Sequence, residues 1–255
     1  MSNVVGITHD LDGTVTRLTL NRPKANIVDA EMIAALDGAV ARAAGDANLV
    51  ALLIAAEGPH FSFGASVEEH LPETCAAMLT SLHALVRRLL EFPLPVLVAV
   101  RGRCLGGGLE VAMAGHRIYA SPDAMLGQPE MMLGVFAPAA SCLMPERMGQ
   151  AMAEDLLYSG RSISGEDALR ARLVDVVDPD PEAAALTYVE RHLKPKSASS
   201  LRLAVRAARA GFLRRVSDRL DEVEALYLNE LMSTRDAVEG LEAFLAKRTA
   251  KWENR

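Results

Sequence analysis

Two glutamates stand in surroundings that suit acid/base chemistry. Glu110 closes the run Gly106-Gly-Gly-Leu-Glu110 and is followed by Val111-Ala-Met-Ala114, while Glu130 sits behind a proline in Gly127-Gln-Pro-Glu130. A carboxylate among apolar residues is costly to ionise unless it is paired or used, which favours general acid/base work. Taken alone, either residue is equally compatible with a salt-bridged or solvent-facing glutamate. The glycines ahead of Glu110 weaken a helix start, so they imply close approach of backbone or N–H groups left free for a ligand. A tightly packed strand-to-helix turn satisfies the same pattern. Phosphate-cradling motifs are excluded, because no Lys-Ser/Thr follows Gly107 or Gly108 and Val111 stands where GxGxxG needs its third glycine.

A second loop, Glu57-Gly-Pro-His-Phe-Ser-Phe-Gly-Ala-Ser66, also ends in a glycine turn. Gly64-Ala65-Ser66-Val67-Glu68 lacks the last glycine of a nucleophile elbow, so Ser66 reads as a cap and not as a nucleophile. Two such loops, each turning a backbone N–H outward, make an oxyanion hole where they converge. The histidines His9, His60, His70, His83, His116 and His192 show no metal-ligand spacing, and only His70 lies near a suspected site loop. The others read as surface or core residues.

The elements that must hold these groups alternate. Val15–Leu20, Val50–Ala56, Pro95–Val100 and Ile118–Ala120 read as strands, whereas Asp29–Ala43 and Cys75–Leu90 carry apolar residues at helical spacing. All twelve prolines lie at or before Pro195, and only Gly211 and Gly240 interrupt residues 196–255, so that tail is expected to be helical nearly throughout. It carries 12 Lys+Arg and 9 Asp+Glu, a small positive balance on a chain whose formal net charge is −6.

Composition narrows the class. With 255 residues, 50% of them hydrophobic and only 4% aromatic, the chain builds a large aliphatic core and lacks the stacking rings of single-stranded nucleic-acid binders. The acidic balance argues against nucleic acid or an anionic membrane as partner. Apolar runs such as Leu49 to Ala56 fall far short of the roughly 18 residues of a membrane span. Cys75, Cys104 and Cys142 form no CxxC pair, and the first Lys or Arg is Arg17, so a cytoplasmic protein without a signal peptide is expected.

In this order, Leu20-Asn-Arg-Pro-Lys-Ala25, Phe63-Gly-Ala-Ser66, Gly106-Gly-Gly-Leu-Glu110, Gly127-Gln-Pro-Glu130, Tyr158-Ser-Gly-Arg161 and Glu239-Gly-Leu-Glu-Ala-Phe244 resemble the crotonase (enoyl-CoA hydratase/isomerase) superfamily along essentially the whole chain. The resemblance implies an α/β fold, the ClpP/crotonase-like spiral of ββα units over residues 1–195, with a helical trimerisation region over 196–255. It implies an acyl-CoA thioester whose carbonyl is held by the backbone N–H groups of Ala65 and Gly107, with Glu110 and Glu130 catalytic. Lys24, Ala25, Phe63 and Lys247 fall at CoA-contacting positions, and Ser66, His70 and Phe136 at the acyl pocket. No metal or separate cofactor is implied, since CoA is part of the substrate. The expected assembly is a homotrimer or a dimer of trimers.

Pro23-Lys-Ala-Asn-Ile-Val-Asp29, His60 to Pro72 and Gly134 to Ser141 are similar to the branch of this family that adds water to cyclic dienoyl thioesters in anaerobic benzoyl-CoA degradation. Ser66 and His116 replace common aspartates, and Ala139-Ala140-Ser141 replaces a glycine-rich stretch. These departures are expected to surround the acyl pocket and to disfavour a straight-chain substrate. The implied reaction is a 1,4-addition of water. A hydratase or isomerase of other acyl chains is the alternative; a non-catalytic binder of acyl-CoA or RNA has no use for the paired glutamates.

Overall fold

The computed structural model describes residues 4–255. The chain opens with β1 (Val5–Asp10) and β2 (Val15–Leu20), paired antiparallel, and passes into α1 (Ala30–Ala44). Asp29 caps that helix, its carboxylate accepting from Met32 N at 3.0 Å. β1 carries no clear alternation and was not expected from the sequence; most of its residues are partly exposed along a sheet edge.

Three turns of a spiral follow. β3 (Ala51–Ala56) leads through a bridge at Ser62 to α2 (Cys75–Leu90); β4 (Val96–Val100) leads through β5 (Arg103–Leu105) to α3 (Gly106–Ala114). β6 (Arg117–Ala120) and β7 (Met125–Gly127) then lead through a 3-10 turn, Pro129–Leu133, to α4 (Pro138–Met148). Each turn places its first strand in one sheet and its second in another. The larger sheet has the order β1-β2-β3-β4-β6-β9, parallel from β2 onward, and the smaller is β5-β7-β8. The remaining elements are α5 (Gln150–Ser159), β8 (Ser162–Ser164), α6 (Gly165–Arg170), β9 (Val176–Val177) and α7 (Pro181–Tyr188).

The apolar runs are explained by burial on both faces, as parallel strands require. Leu52 and Ile54 of β3 face the main core with α1 and α2, and Ala51, Leu53 and Ala55 face a second cluster closed by Ala185, Val189 and Leu193. The tail is α8 (Ala198–Asn229) and α9 (Arg235–Leu245), with residues 246–255 leaving the helix. Val216, Leu220 and Tyr227 of α8 and Leu241 of α9 join the main core, so the tail is packed into the same body. Among the described residues no helix is long and apolar enough to cross a membrane.

Candidate active site

The site grows from the second strand of each spiral turn. Ser62 is fully buried beside β5, where Ser62 N donates to Arg103 O at 3.0 Å and Leu105 N to Ser62 O at 3.0 Å. Its hydroxyl donates to Asn26 O at 2.8 Å and accepts from Gly64 N at 3.1 Å. Asn26, also fully buried, spends its amide on Glu57 O and His60 O, both at 3.0 Å, and accepts from Arg22 N at 2.9 Å. Phe63 N donates to Ala25 O at 2.8 Å. These bonds fix the loop that presents Ala65. Val28 N donates to Gly64 O at 2.9 Å, a parallel bridge that uses the residues flanking Ala65 and leaves the Ala65 N–H turned away.

The Ala65 nitrogen itself lies beside α3. A Cβ on Gly107 would lie 3.2 Å from Ala65 N, so the two loop ends meet, and Gly107 stands in the first turn of its helix, where backbone N–H groups have no intrahelical acceptor. Gly106 has φ +50°, and a Cβ there would lie 2.7 Å from Glu130 Oε1. The glycine run is thus a site for close approach: the Glu130 carboxyl rests over Gly106.

The two glutamates differ in their supports. Glu110, 3% exposed on α3, accepts from Ala140 N of α4 at 2.8 Å through Oε1. Burial raises its pKa, and the charge of His83 and the N–H groups of Ala140 and Ala139 pull it back. Glu130 is pushed up to about 8, by burial first and then by the Glu110 charge. The buried Gln128, its amide turned to donate, places Nε2 3.0 and 3.1 Å from the two Glu130 oxygens, a contact that favours the carboxylate and opposes the effect of burial. Both carboxyls are therefore raised, and at neutral pH the Glu130 shift to about 8 favours its protonated form.

A cavity of about 390 Å³ opens beside Glu130, lined by Ala65, Gly106 and His70 with Phe63, Val135, Leu241 and Phe244 among its apolar walls, while Glu110 and Gly107 lie behind that lining. His70 lies 2.7 Å through Nδ1 from Ser66 O, and burial lowers its pKa, so a neutral ring faces the cavity. Ser66 turns its hydroxyl to Glu68 at 3.1 Å, outside the cavity lining. Phe136 is also outside it: its ring packs edge-on against Tyr227, with centroids 5.2 Å apart. Tyr227 is fully buried, and its hydroxyl has no partner; burial, then the charges of Cys75, Glu130 and Glu110, raise its pKa.

Lys24 is exposed with a left-handed backbone at φ +88°, next to the Ala25–Phe63 hydrogen bond, and Arg103 lies 5.9 Å from the centre of the Phe63 ring. Lys247 is exposed just beyond Phe244, to whose carbonyl its N–H donates at 3.0 Å. The expectation that His116 borders the acyl pocket is corrected: it follows α3 at the end away from Gly106, where Nδ1 accepts from Val96 N at 3.0 Å. Burial and the charges of Arg209 and Arg147 lower its pKa to about 3. Ala139 and Ala140 do belong to the site, as the start of the helix that holds Glu110. Sequence reasoning missed Asn26, Ser62, Gln128 and His83, which act through hydrogen bonds or charge across the fold and carry no local motif.

The family model for enoyl-CoA hydratase/isomerase matches residues 10–255. The chain belongs to the enoyl-CoA hydratase/isomerase family. Within it, the chain is 63% identical over 244 residues to the cyclohexa-1,5-dienecarbonyl-CoA hydratase of Thauera aromatica, covering 96% of this chain and 95% of that protein. It is 32% identical to a probable enoyl-CoA hydratase of Bacillus subtilis (strain 168), covering 95% of this chain and 96% of that protein. An enoyl-CoA hydratase/isomerase structure from Pseudoalteromonas atlantica T6c superposes with a TM-score of 0.86 at 28% identity, covering 98% of this chain and 99% of that one. The family's fold accounts for the spiral.

Proposed function

We propose that this enzyme adds water to cyclohexa-1,5-diene-1-carbonyl-CoA, giving 6-hydroxycyclohex-1-ene-1-carbonyl-CoA, a step of anaerobic benzoyl-CoA degradation. The observation that carries the reaction is the pair of glutamates raised by burial, Glu130 to about 8, set beside the close approach of the Ala65 and Gly107 backbones. The likeness to the Thauera aromatica hydratase supports the ring substrate.

The approach of the Ala65 and Gly107 backbones and the two raised carboxyls support the following steps. The thioester oxygen lies between the N–H groups of Ala65 and Gly107. Water loses a proton to Glu110 as its oxygen bonds to the β-carbon, and the electron pair moves onto the thioester oxygen. One such N–H donor is worth about 3 kcal/mol to the transition state. The dienolate then takes the proton of Glu130 at the far γ-carbon. Protons move and no electrons are lost, so the reaction calls for no redox cofactor. The exposed Lys24 and Lys247 suit the CoA phosphates, and Phe63 with Ala25 the mouth of the nucleotide site. We infer a homotrimer or dimer of trimers in the cytoplasm.

The test is to offer the purified protein the cyclic dienoyl-CoA and crotonyl-CoA at equal concentration and to follow both by mass spectrometry. Faster hydration of the dienoyl thioester, with deuterium from heavy water on the γ-carbon, is the expected result. Faster hydration of crotonyl-CoA would reject the ring substrate and favour a broader enoyl-CoA hydratase.

A further inference from the structure

Trp252, the only tryptophan of the chain, stands in the segment that follows α9 and is 46% exposed, so burial of the whole ring is not what holds it there. One edge of the ring is wedged against two backbones. A Cβ on Gly134 would lie 3.0 Å from Trp252 Cζ3 and 3.3 Å from Cη2, and one on Gly240 would lie 3.0 Å from the same Cη2. Gly134 closes the turn Pro129–Leu133: its N–H donates to Met131 O at 3.2 Å and also reaches Glu130 O, to which Val135 N donates at 3.3 Å. The ring edge therefore abuts the residue that ends the turn carrying Glu130. The neighbours of Trp252 are fastened to α9 on both sides. Lys251 N donates to Glu239 Oε1 at 2.8 Å, and Glu253 N and Asn254 N donate to the two oxygens of Asp236 at 2.7 Å each. A flat, stiff ring tied down in this way passes any displacement on to what it touches, because close-packed contacts leave no slack.

We propose that Trp252 is a positioning residue for Glu130: the strap of residues 246–255 holds the ring edge between Gly240 and Gly134, and that wedge sets where the turn presents the Glu130 carboxyl. On its other sides the carboxyl has little latitude, since Gly106 lies against Oε1 and Gln128 spans both oxygens. The Gly134 end of the turn has two seats, the Trp252 edge and the carbonyl of Asp236, which would stand 2.8 Å from a Gly134 Cβ. Removing the ring removes one of them, and Glu130 then spends less time where it can give its proton. Trp252 is not among the residues that line the cavity, so it acts on the rate through Glu130 and not on the thioester by contact. This rests on the hydratase reading, in which Glu130 is the proton donor.

The experiment compares Trp252→Ala, Trp252→Phe, Glu130→Gln and the double variant Trp252→Ala/Glu130→Gln with wild type, well below the melting temperature. It measures kcat and KM for whichever of the two thioesters wild type hydrates. A displacement near 1 Å at a reacting group costs about a hundredfold in rate, so Trp252→Ala is expected to lower kcat about tenfold or more with KM changed less than about threefold. Trp252→Phe keeps an aromatic edge and recovers most of that loss. Because the ring acts through Glu130, the double variant turns over no more slowly than Glu130→Gln alone. A folded Trp252→Ala with the kcat of wild type, a Trp252→Phe as slow as Trp252→Ala, or losses that multiply in the double variant would overturn the role. A Trp252→Ala chain that fails to fold passes the decision to Asp236→Asn, which loosens the strap beside the ring. There, a lowered kcat that disappears in the Glu130→Gln background supports the role, and an unchanged kcat or multiplying losses overturn it. Wild type that hydrates neither thioester would overturn the hydratase reading and this role with it; a wild type that turns over beside an undiminished Trp252→Ala overturns the role alone.

Discussion

At the level of single residues, the candidate site sets two like groups in unlike surroundings. Both glutamates are raised by burial; the charge of His83 and the N–H groups of Ala140 and Ala139 pull Glu110 back, whereas Glu130 feels the Glu110 charge as well and, despite one backbone N–H that pulls it down, rises to about 8. On the proposed mechanism hydration needs Glu130 protonated, so kcat is expected to fall as pH rises through that value, and Glu130→Gln is expected to lose at least about a hundredfold in kcat while still binding thioester. The same shift has a sign for stability. A carboxyl whose folded pKa lies above its ordinary 4.5 adds stability at low pH and loses it as pH rises through the folded value. Glu130→Gln lacks that loss, so at about pH 9 it should be more stable than wild type by about 1 kcal/mol or more, and equal to it near about pH 5. Denaturant titrations at the two pH values check this; a variant weaker than wild type at the higher pH would show that Glu130 is not held protonated by the fold.

At the level of elements, the converging loop ends depend on residues that no motif marks. The strands and helices around the site were legible: the helix over Cys75–Leu90 has the expected bounds, and the glycine run does start a helix that carries Glu110. Motif order also singled out Ala65, Gly107, Glu110 and Glu130, and the fold brings Ala65 to Gly107 and Glu130 to Gly106. The latch of Asn26 and Ser62 was not, because its bonds join residues some 36 positions apart and each looks like an ordinary loop polar residue. His116 failed for the complementary reason: its place in the motif order gave no sign that it lies past the far end of α3. Ser62→Ala tests the latch. It removes one buried hydroxyl that serves both Asn26 O and Gly64 N, so a loss of about 1–3 kcal/mol in stability is expected. Because Gly64 carries Ala65, kcat should fall further than KM rises; kinetics with one thioester and a melting curve separate the two effects. An unchanged kcat would mean that the loop is held without the hydroxyl.

At the level of the whole molecule, the tail that sequence reading set apart as residues 196–255 closes the site that the spiral builds. Leu241 and Phe244 of α9 line the cavity, and Gly240 lies directly against the turn Pro129–Leu133 that carries Glu130. A Cβ at Gly240 would stand 2.0 Å from Leu133 O and 3.0 Å from the Trp252 ring, too close for any side chain, so the tail seats on backbone. Sequence showed Gly240 only as an interruption in a helix; its cause is a contact made more than a hundred residues upstream. Gly240→Ala must therefore push α9 off the turn or move the turn itself. Overpacking of this kind costs about 1–3 kcal/mol, and a displacement near 1 Å at a reacting group costs about a hundredfold in rate. The expected variant melts earlier, binds thioester less tightly because one cavity wall has moved, and turns over more slowly because Glu130 has moved with it. Steady-state kinetics beside a denaturant titration decides between two roles for the tail. If stability drops while kcat and KM hold, α9 only braces the fold; if all three change together, the helical tail is a working wall of the active site.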